Sequence, residues 1–188
     1  GVLIIFDEVQ CGMGRTGKLW AHEWGGMAPD IMAIAKALGG GFPIGACLAT
    51  SHAAAGMVVG VHGSTFGGNP LAMAVGQAAF GELSKPETLA HVNEIAGYLK
   101  QQLHGLKERF PDVIVEVRGK GLLMGMKLVP NNREFMGWAR DEAHLLVAGG
   151  GDNLVRILPP LNFTQDEARE AIERLEKTCE FARTKLAA

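Results

Sequence analysis

The stretch that decides the fold begins with VLIIFDEVQ at residues 2–10 and continues with PDIMAIAKALGGG at residues 29–41. Val2 to Phe6 is a short apolar run rich in branched side chains, which is typical of a parallel strand buried on both faces. A second apolar run, Ile31 to Ala35, leads into Lys36 and a glycine cluster. We therefore predict an open α/β sheet that places its reactive groups at the carboxyl ends of its strands.

The composition excludes several classes of partner. The chain has 188 residues, of which 47% are hydrophobic, and its 18 basic against 20 acidic residues give a formal net charge of −2. This near balance argues against nucleic acid or an anionic membrane as a partner. No apolar stretch approaches the roughly 20 residues that are needed to span a bilayer.

The three cysteines, Cys11, Cys47 and Cys179, are far apart in the sequence. An odd number of widely spaced cysteines argues against a disulfide framework and against a CxxC metal site. We therefore expect a reducing, cytoplasmic environment and predict no metal site.

The middle of the chain has the pattern of two successive helices. Asn69 to Leu83 is rich in alanine and has proline in an early helical position, which predicts a buried helix. Ser84 and Glu87 have the spacing of a capping box, and the apolar residues that follow them recur at helical intervals up to Pro111. We predict a long second helix that ends there.

The last third of the chain has a different sequence pattern. The ranges 113–117, 122–128 and 154–158 are strand-like and are separated by glycine-containing turns. Thr164 and Glu167 then form a second capping-box pattern, followed by a helix with one apolar face. This part is predicted to be a smaller α+β unit.

The segment GMGRTG at residues 12–17 matches the dinucleotide fingerprint GxGxxG letter for letter. Its context does not fit, because DEVQC separates it from the strand and the following KLWAHEW lacks an apolar helical face. We expect a tight structural loop here rather than a dinucleotide site.

Asp7 and Lys36 are the pair of residues that we predict to form a reactive site. A pyridoxal cofactor needs a lysine amine to bind its aldehyde and a carboxylate to keep its pyridine nitrogen protonated. Asp7 and Val9, two apart in an extended segment, are expected to face one side of a flat ring, with Glu8 opposite in a structural, hydrogen-bonding role. The alternatives are that Asp7 caps a turn and that Lys36 is a solvated surface residue.

Longer stretches of the chain resemble the class III pyridoxal-phosphate aminotransferases, and within them the acetylornithine aminotransferases. The stretches are LIIFDEVQCGMGRTGKLWAHEW, PDIMAIAKALGGGFPIGA, HGSTFGGNPLAMA, EVRGKGLLMGMKL and NLVRILPPL. The resemblance implies a type I aminotransferase fold and a chain that is the C-terminal half of such an enzyme, which agrees with its abrupt start. Residues 1–84 would complete a large mixed-sheet α/β domain, 85–111 would be a connecting helix and 112–188 a small α+β domain.

Matched residue by residue, the resemblance implies a cofactor site for pyridoxal 5′-phosphate. Lys36 would hold the aldehyde covalently and Asp7 would bind the pyridine nitrogen. Val9 would pack on one face of the ring, and Gln10 would hydrogen-bond its phenolic oxygen. Thr65 would reach the cofactor phosphate of the other subunit of a homodimer.

The same matching implies that Ser64 lies near the substrate and that Arg156 grips its α-carboxylate, for which a planar guanidinium is suited. The alternatives are helix-capping turn chemistry for Ser64 and Thr65, and a surface ion pair for Arg156. The segment VAGGGDN at residues 147–153 departs from the family, which usually has a shorter loop with a proline before Arg156.

The resemblance implies transamination between N-acetylornithine and 2-oxoglutarate, in arginine biosynthesis, as part of a complete enzyme. Related ω-aminotransferases use succinylornithine, ornithine, 4-aminobutyrate or succinyl-diaminopimelate, and these donors remain alternatives. So do a catalytically silent fragment and a binding module that keeps the fold without the reaction.

Overall fold

The computed structural model describes residues 1–187. The chain forms two compact units, Gly1–Leu89 and the residues from Ala90 onward. The division falls inside a long helix that runs from Pro86 to Arg109, so most of this helix belongs to the second unit. The assignment of the two units to domains of a larger enzyme stays a prediction.

The first unit is built on a three-stranded mixed sheet. Its strands are β1 (Ile5–Asp7), β2 (Ile31–Ile34) and β3 (Ala46–Ala49). β1 and β2 are parallel, and β3 pairs with β2 in the antiparallel direction. The carboxylate of Asp30 accepts the backbone N–H of Ile4 at 2.8 Å, which ties the start of β2 to the chain that enters β1.

The helices of this unit follow the turn chemistry of the sequence. Two short 3₁₀ helices cover Ala21–Trp24 and Lys36–Gly39, α1 covers Ser51–Ala54 and α2 covers Pro70–Leu83. The side chain of Asn69 caps α2 by accepting the backbone N–H of Ala72 at 2.9 Å, and proline occupies the first turn as predicted.

The prediction that the first strand is buried on both faces is wrong, because Ile5 is 65% exposed. The core of the unit is a small cluster of Met13, Met32, Ile34 and Leu38. Side chains alternate along a strand, so a cluster on one side of the sheet leaves the other side of β1 open. α2 is likewise less buried than predicted, since only two of its residues are buried, Ala72 and Gly76.

The second unit combines three helices with a four-stranded antiparallel sheet in the order β4-β5-β7-β6. Its elements are α3 (Pro86–Arg109), β4 (Ile114–Lys120), β5 (Leu123–Leu128), α4 (Asn132–Ala143), β6 (Ala148–Gly150), β7 (Leu154–Ile157) and α5 (Gln165–Leu186). The predicted strands and the last helix are present, whereas α4 and β6 were not anticipated.

Two capping predictions had different outcomes. Thr164 and Glu167 form the expected capping box at the start of α5, with reciprocal bonds of 2.7 and 3.2 Å. Ser84 does not open α3; it is the C-cap of α2, and its N–H donates to the carbonyl of Phe80 at 2.9 Å. α3 starts two residues later, and its first backbone bond runs from Leu89 to the carbonyl of Lys85.

Within residues 1–187, no helix combines the length and the apolar composition that a membrane span requires. The same residues contain no cluster of three or more histidine, cysteine or acidic side chains that could hold a metal ion.

Candidate active site

Asp7 and Lys36 lie at the same edge of the mixed sheet. Asp7 is the last residue of β1 and pairs in register with Ala33 of β2, and Lys36 follows three residues after Ala33. Neighbouring strands run about 4.8 Å apart, so the two functional residues leave adjacent strand ends. Both side chains are exposed. The geometry thus presents an amine and a carboxylate together at the carboxyl edge.

The backbone of Lys36 is left-handed, with a φ of 48°. This conformation costs a non-glycine residue about 1–2 kcal/mol, and such strain persists only where the surrounding structure enforces it. Here the turn packs tightly, since a Cβ on Gly39 would lie 2.7 Å from the Cγ2 of Ile44. A Cβ on Gly76 of α2 would approach the Cδ1 of Ile44 to 3.2 Å. The two glycines let Ile44 lock the turn that carries Lys36.

Asp7 also makes a local bond, because its Oδ1 accepts the backbone N–H of Val9 at 2.9 Å. The chain turns directly after Asp7, so the expectation of an extended segment from Asp7 to Val9 is wrong. Val9 and Gln10 lie in this turn and are half-buried. The turn brings both residues close to the strand end through its curvature rather than through strand alternation.

Glu8 is buried, with only 2% of its surface exposed, and serves as a hydrogen-bonding centre. Its carboxylate accepts the backbone N–H groups of Ala21 and His22, each at 2.8 Å. The Nδ1 of His22 lies 3.1 Å from one carboxylate oxygen, and the thiol of Cys11 lies 3.4 Å from the other. The expected structural role of Glu8 is confirmed.

The GMGRTG segment is a closed loop. The N–H of Gly14 donates to the carbonyl of Leu19 at 3.1 Å, and the N–H of Gly17 donates to the carbonyl of Gly14 at 2.9 Å. Met13 has a φ of 57° and points into the core with 1% exposure. The next regular element is the 3₁₀ helix Ala21–Trp24 and not the apolar α-helix of a dinucleotide site, so the expected structural loop is confirmed.

Ser64 and Thr65 lie on the exposed loop that leads to α2. The Oγ of Ser64 accepts the N–H of Gly67 at 2.9 Å, which is the turn chemistry considered as its alternative role. The cap of α2 itself is Asn69. Thr65 is presented outward beside this turn.

Arg156 belongs to the second unit, where it lies on β7 and is half-buried. Its Nε donates to the carbonyl of Gly149 at 2.9 Å, across the β6–β7 hairpin. The arginine borders a cleft of about 580 Å³, which is further lined by Asn132, Arg133, Met136, Gly149, Gly150, Gly151 and Leu154. The side chain therefore combines a fixed stem with access to a cavity.

The turn before Arg156 is well defined. Asp152 and Asn153 have φ values of 58° and 54°, and the N–H of Leu154 donates to the carbonyl of Gly151 at 3.2 Å. Positive φ at both central residues is the requirement of a type I′ hairpin turn. The sequence Gly-Asp-Asn before the apolar run of β7 was the signal that could have predicted this turn.

Comparison with known proteins places the chain in a family. It matches the family model described as aminotransferase class-III over residues 1–179. It is 70% identical over 189 residues to acetylornithine aminotransferase 2 of Caulobacter vibrioides, covering 100% of this chain and 46% of the relative. It is 55% identical over 180 residues to acetylornithine aminotransferase of Brucella melitensis, covering 96% of this chain and 44% of the relative.

The solved structures that are similar to this chain are also aminotransferases. N-acetylornithine aminotransferase of Stenotrophomonas maltophilia superposes with a TM-score of 0.85 at 37% identity, over 100% of this chain and 49% of that one. Ornithine aminotransferase of Toxoplasma gondii, whose crystals had partial occupancy of pyridoxal phosphate, superposes with a TM-score of 0.91 at 30% identity, over 100% and 45%. The chain spans about half the length of the curated relatives it matches. It belongs to the class III aminotransferase family and has the fold of the pyridoxal-phosphate-dependent aminotransferases.

Proposed function

We propose that this chain carries the reactive lysine and the ring-nitrogen carboxylate of an aminotransferase that moves an amino group from N-acetylornithine to 2-oxoglutarate, in arginine biosynthesis. The observation that carries the proposal is the placement of Lys36 and Asp7 at the ends of two adjacent parallel strands, with Asp7 in register with Ala33. The choice of donor rests on the similarity to acetylornithine aminotransferases.

The residues present suit pyridoxal phosphate. A primary amine and a carboxylate stand together and exposed at one sheet edge, and the half-buried Val9 and Gln10 follow directly on the turn. When bound, this cofactor supplies an aldehyde that condenses with amines and a ring that accepts electrons from the carbon bearing the amine. Asp7 would hold a proton at the ring nitrogen, Val9 would cover one ring face and Gln10 would donate to its phenolic oxygen.

Lys36 has two tasks in this proposal. Its Nζ would hold the cofactor through the aldehyde, and the same nitrogen would carry the proton that leaves the substrate carbon. The left-handed turn, which packs against Ile44, would hold the backbone of Lys36 at the strand end. A rigid backbone at this point limits the misplacement to which proton transfer is sensitive.

The remaining predicted residues serve the substrate and the second subunit. The guanidinium of Arg156 would bind the α-carboxylate with two parallel bonds. Thr65, on an exposed loop beside Ser64, would contact the cofactor phosphate held by the other subunit of a cytoplasmic homodimer. Ser64 would stand next to the substrate while its Oγ accepts the Gly67 N–H.

Two alternatives have their own support. The structural similarity to ornithine aminotransferase keeps ornithine as a candidate donor. The coverage of about half of each relative keeps open that these residues bind cofactor or turn over substrate only beside the rest of such an enzyme.

A reductive trapping experiment tests the proposal. The chain, alone and joined to the upstream half of the Caulobacter relative, is mixed with pyridoxal phosphate, reduced with borohydride and mapped by peptide mass spectrometry. We expect the adduct on Lys36, its loss in Lys36→Ala, and its retention in Lys100→Ala, a matched change of an exposed lysine on α3. Glutamate formation from 2-oxoglutarate is then compared among N-acetylornithine, succinylornithine, ornithine, 4-aminobutyrate and succinyl-diaminopimelate.

An adduct that forms in the joined protein but not in the chain by itself would support a site that needs the upstream half. Trapping spread over surface lysines, with Lys36 no more modified than Lys100, would refute the assignment. An adduct on Lys36 without turnover of any of the five donors would favour the silent binding module.

A further inference from the structure

We propose that Glu8 is a positioning residue that holds the carboxylate of Asp7 in place for the cofactor ring. The proposal rests on the proposed function, because it gives Glu8 a task only if Asp7 binds the pyridine nitrogen. Glu8 itself is buried and faces away from the exposed Asp7, so it acts through the backbone and not by contact with a ligand.

Both carboxylate oxygens of Glu8 are engaged by N–H groups. Oε2 accepts the backbone N–H of Ala21, and Oε1 accepts the backbone N–H of His22, each at 2.8 Å. Nδ1 of the His22 ring lies 3.1 Å from Oε1 and adds a third bond in the tautomer that carries its proton there. Glu8 thereby anchors the end of β1 to the 3₁₀ helix Ala21–Trp24.

The backbone of Glu8 is held as firmly as its side chain. Its N–H donates to the carbonyl of Ala33 at 2.9 Å, and its carbonyl accepts the N–H of Gly12 at 3.0 Å. Ala33 is also the register partner of Asp7. The peptide that joins Asp7 to Glu8 is therefore bonded on the side of β2 that leads to Lys36.

Close packing removes alternative arrangements. A Cβ on Gly12 would lie 2.8 Å from the carbonyl oxygen of Glu8 and 3.1 Å from its Oε2, so only glycine fits beside this carboxylate. The ring of His22 stacks near Phe6, with centroids 5.9 Å apart. Glu8 is buried and Asp7 is exposed, so the peptide that is bonded to Ala33 directs the two side chains to opposite sides.

A glutamine cannot replace Glu8. The glutamine amide has one acceptor oxygen, and its NH₂ group would face one of the two N–H groups that now donate to Oε1 and Oε2. Glu8→Gln therefore preserves size but places two donors against each other. Glu23→Gln is the matched control, because Glu23 accepts the N–H of Trp20 at 2.7 Å in the same 3₁₀ segment without bonding to β1.

The first test uses the full chain and needs no cofactor. The amide exchange rate of Val9, whose N–H donates to Asp7 Oδ1, and the carboxyl ¹³C signal of Asp7 are measured by NMR in the unmodified chain and in the two variants. We expect Glu8→Gln to speed exchange at Val9 by roughly tenfold or more and to shift the Asp7 signal, since loosened segments exchange faster. Glu23→Gln should change neither.

Faster exchange at Ala21 and His22 with Val9 unchanged would overturn the proposal, because Glu8 would then serve the 3₁₀ segment alone. If Glu8→Gln does not fold, His22→Phe replaces it, since that change removes only the ring bond to Oε1. A smaller acceleration at Val9 in the same direction is then expected, and an unchanged Val9 rate again overturns the proposal.

The second test separates positioning from general support by using two cofactors. In the chain joined to the upstream half of the Caulobacter relative, affinity is measured for pyridoxal phosphate and for its analogue with carbon in place of the ring nitrogen. Glu8→Gln should lower the affinity for pyridoxal phosphate about tenfold, which is the effect that residues supporting metal ligands have on metal affinity. The affinity for the analogue should change little. The double variant Asp7→Asn with Glu8→Gln should bind pyridoxal phosphate no more weakly than Asp7→Asn alone.

The outcomes distinguish the two proposals. If Asp7→Asn leaves the affinity for pyridoxal phosphate unchanged, the proposed function of Asp7 fails. A second outcome is that Asp7→Asn lowers this affinity, whereas Glu8→Gln lowers the affinities for both cofactors equally or changes neither. Asp7 then keeps its role, and the positioning role of Glu8 is refuted.

Discussion

The Nε of Arg156 donates to the carbonyl oxygen of Gly149 at 2.9 Å, so the proposed carboxylate-binding side chain is tied to the edge strand of its own sheet. A Cβ on Gly150 would lie 3.6 Å from the Cγ and Cδ of Arg156, so the glycine strand lies directly along the arginine stem. The guanidinium is thereby oriented by its own hairpin.

Arg156→Lys should therefore impair carboxylate binding although it keeps the charge. Lysine lacks the planar fork and the Nε that bonds Gly149. In the chain joined to the upstream half of the Caulobacter relative, we expect the KM for 2-oxoglutarate to rise by on the order of 10- to 100-fold, as for loss of one charge-assisted bond. Arg169→Lys, on the exposed surface of α5, should leave KM unchanged; an equal KM in both variants would contradict the assigned role.

Asn153 should be a strong determinant of stability. Its side chain donates to the carbonyls of Leu128 and Pro130 at 2.7 and 2.8 Å and accepts the N–H of Asn132 at 2.8 Å. Loss of three bonds at about 1 kcal/mol each predicts that Asn153→Gly lowers the free energy of unfolding by about 3 kcal/mol. Asn153→Ala should lose about 1 kcal/mol more, because alanine is disfavoured at positive φ.

Urea unfolding followed by circular dichroism checks both values. Equal stability of the alanine and glycine variants would show that the left-handed backbone adds nothing to the effect of Asn153.

The ion pair between Asp112 and Arg183 predicts a dependence on pH. The guanidinium of Arg183 bonds both oxygens of Asp112, at 2.7 and 2.6 Å, and this holds the pKa of the Asp112 carboxyl below its usual value. A depressed folded-state pKa stabilises the fold above the unfolded-state pKa, and this contribution is lost as pH falls through the folded-state value.

Arg183→Gln should return the Asp112 pKa toward its usual value, as measured by NMR titration of the carboxyl carbon. The stability lost by Asp112→Asn should be largest above about pH 5 and should shrink towards pH 2. A loss that stays constant over this range would exclude the ion pair as its cause.

The three free cysteines should differ sharply in reactivity. Burial raises the pKa of the Cys179 thiol to about 12, and burial together with the nearby Glu8 carboxylate raises that of Cys11 to about 11. Only the thiolate reacts quickly with alkylating reagents. At pH 8 we expect iodoacetamide to modify the exposed Cys47 first and Cys179 only after unfolding, as followed by mass spectrometry. Early modification of Cys179 would show that α5 opens readily.

Much of the fold followed from local sequence. Apolar runs located β1, β2 and most of the second sheet, and the Thr164–Glu167 pattern located the start of α5. α4 escaped prediction because its buried stripe has only Phe135, Ala139 and Ala143, two of which are small. β6 escaped because Ala-Gly-Gly has little strand propensity and becomes a strand only by pairing with β7.

The sequence by itself determined the chemistry that is available, since Asp7 and Lys36 stand where apolar runs meet turns and Arg156 lies within the apolar run of β7. The tertiary structure decided how these groups are held. The pairing of Asp7 with Ala33 joins residues that lie 26 positions apart in the chain. The burial of Glu8 against Ala21 and His22 joins residues that lie 13 and 14 positions apart. Such contacts form only when hydrogen bonding and burial on folding outweigh the entropy of closing the intervening loops, and no local pattern encodes that balance.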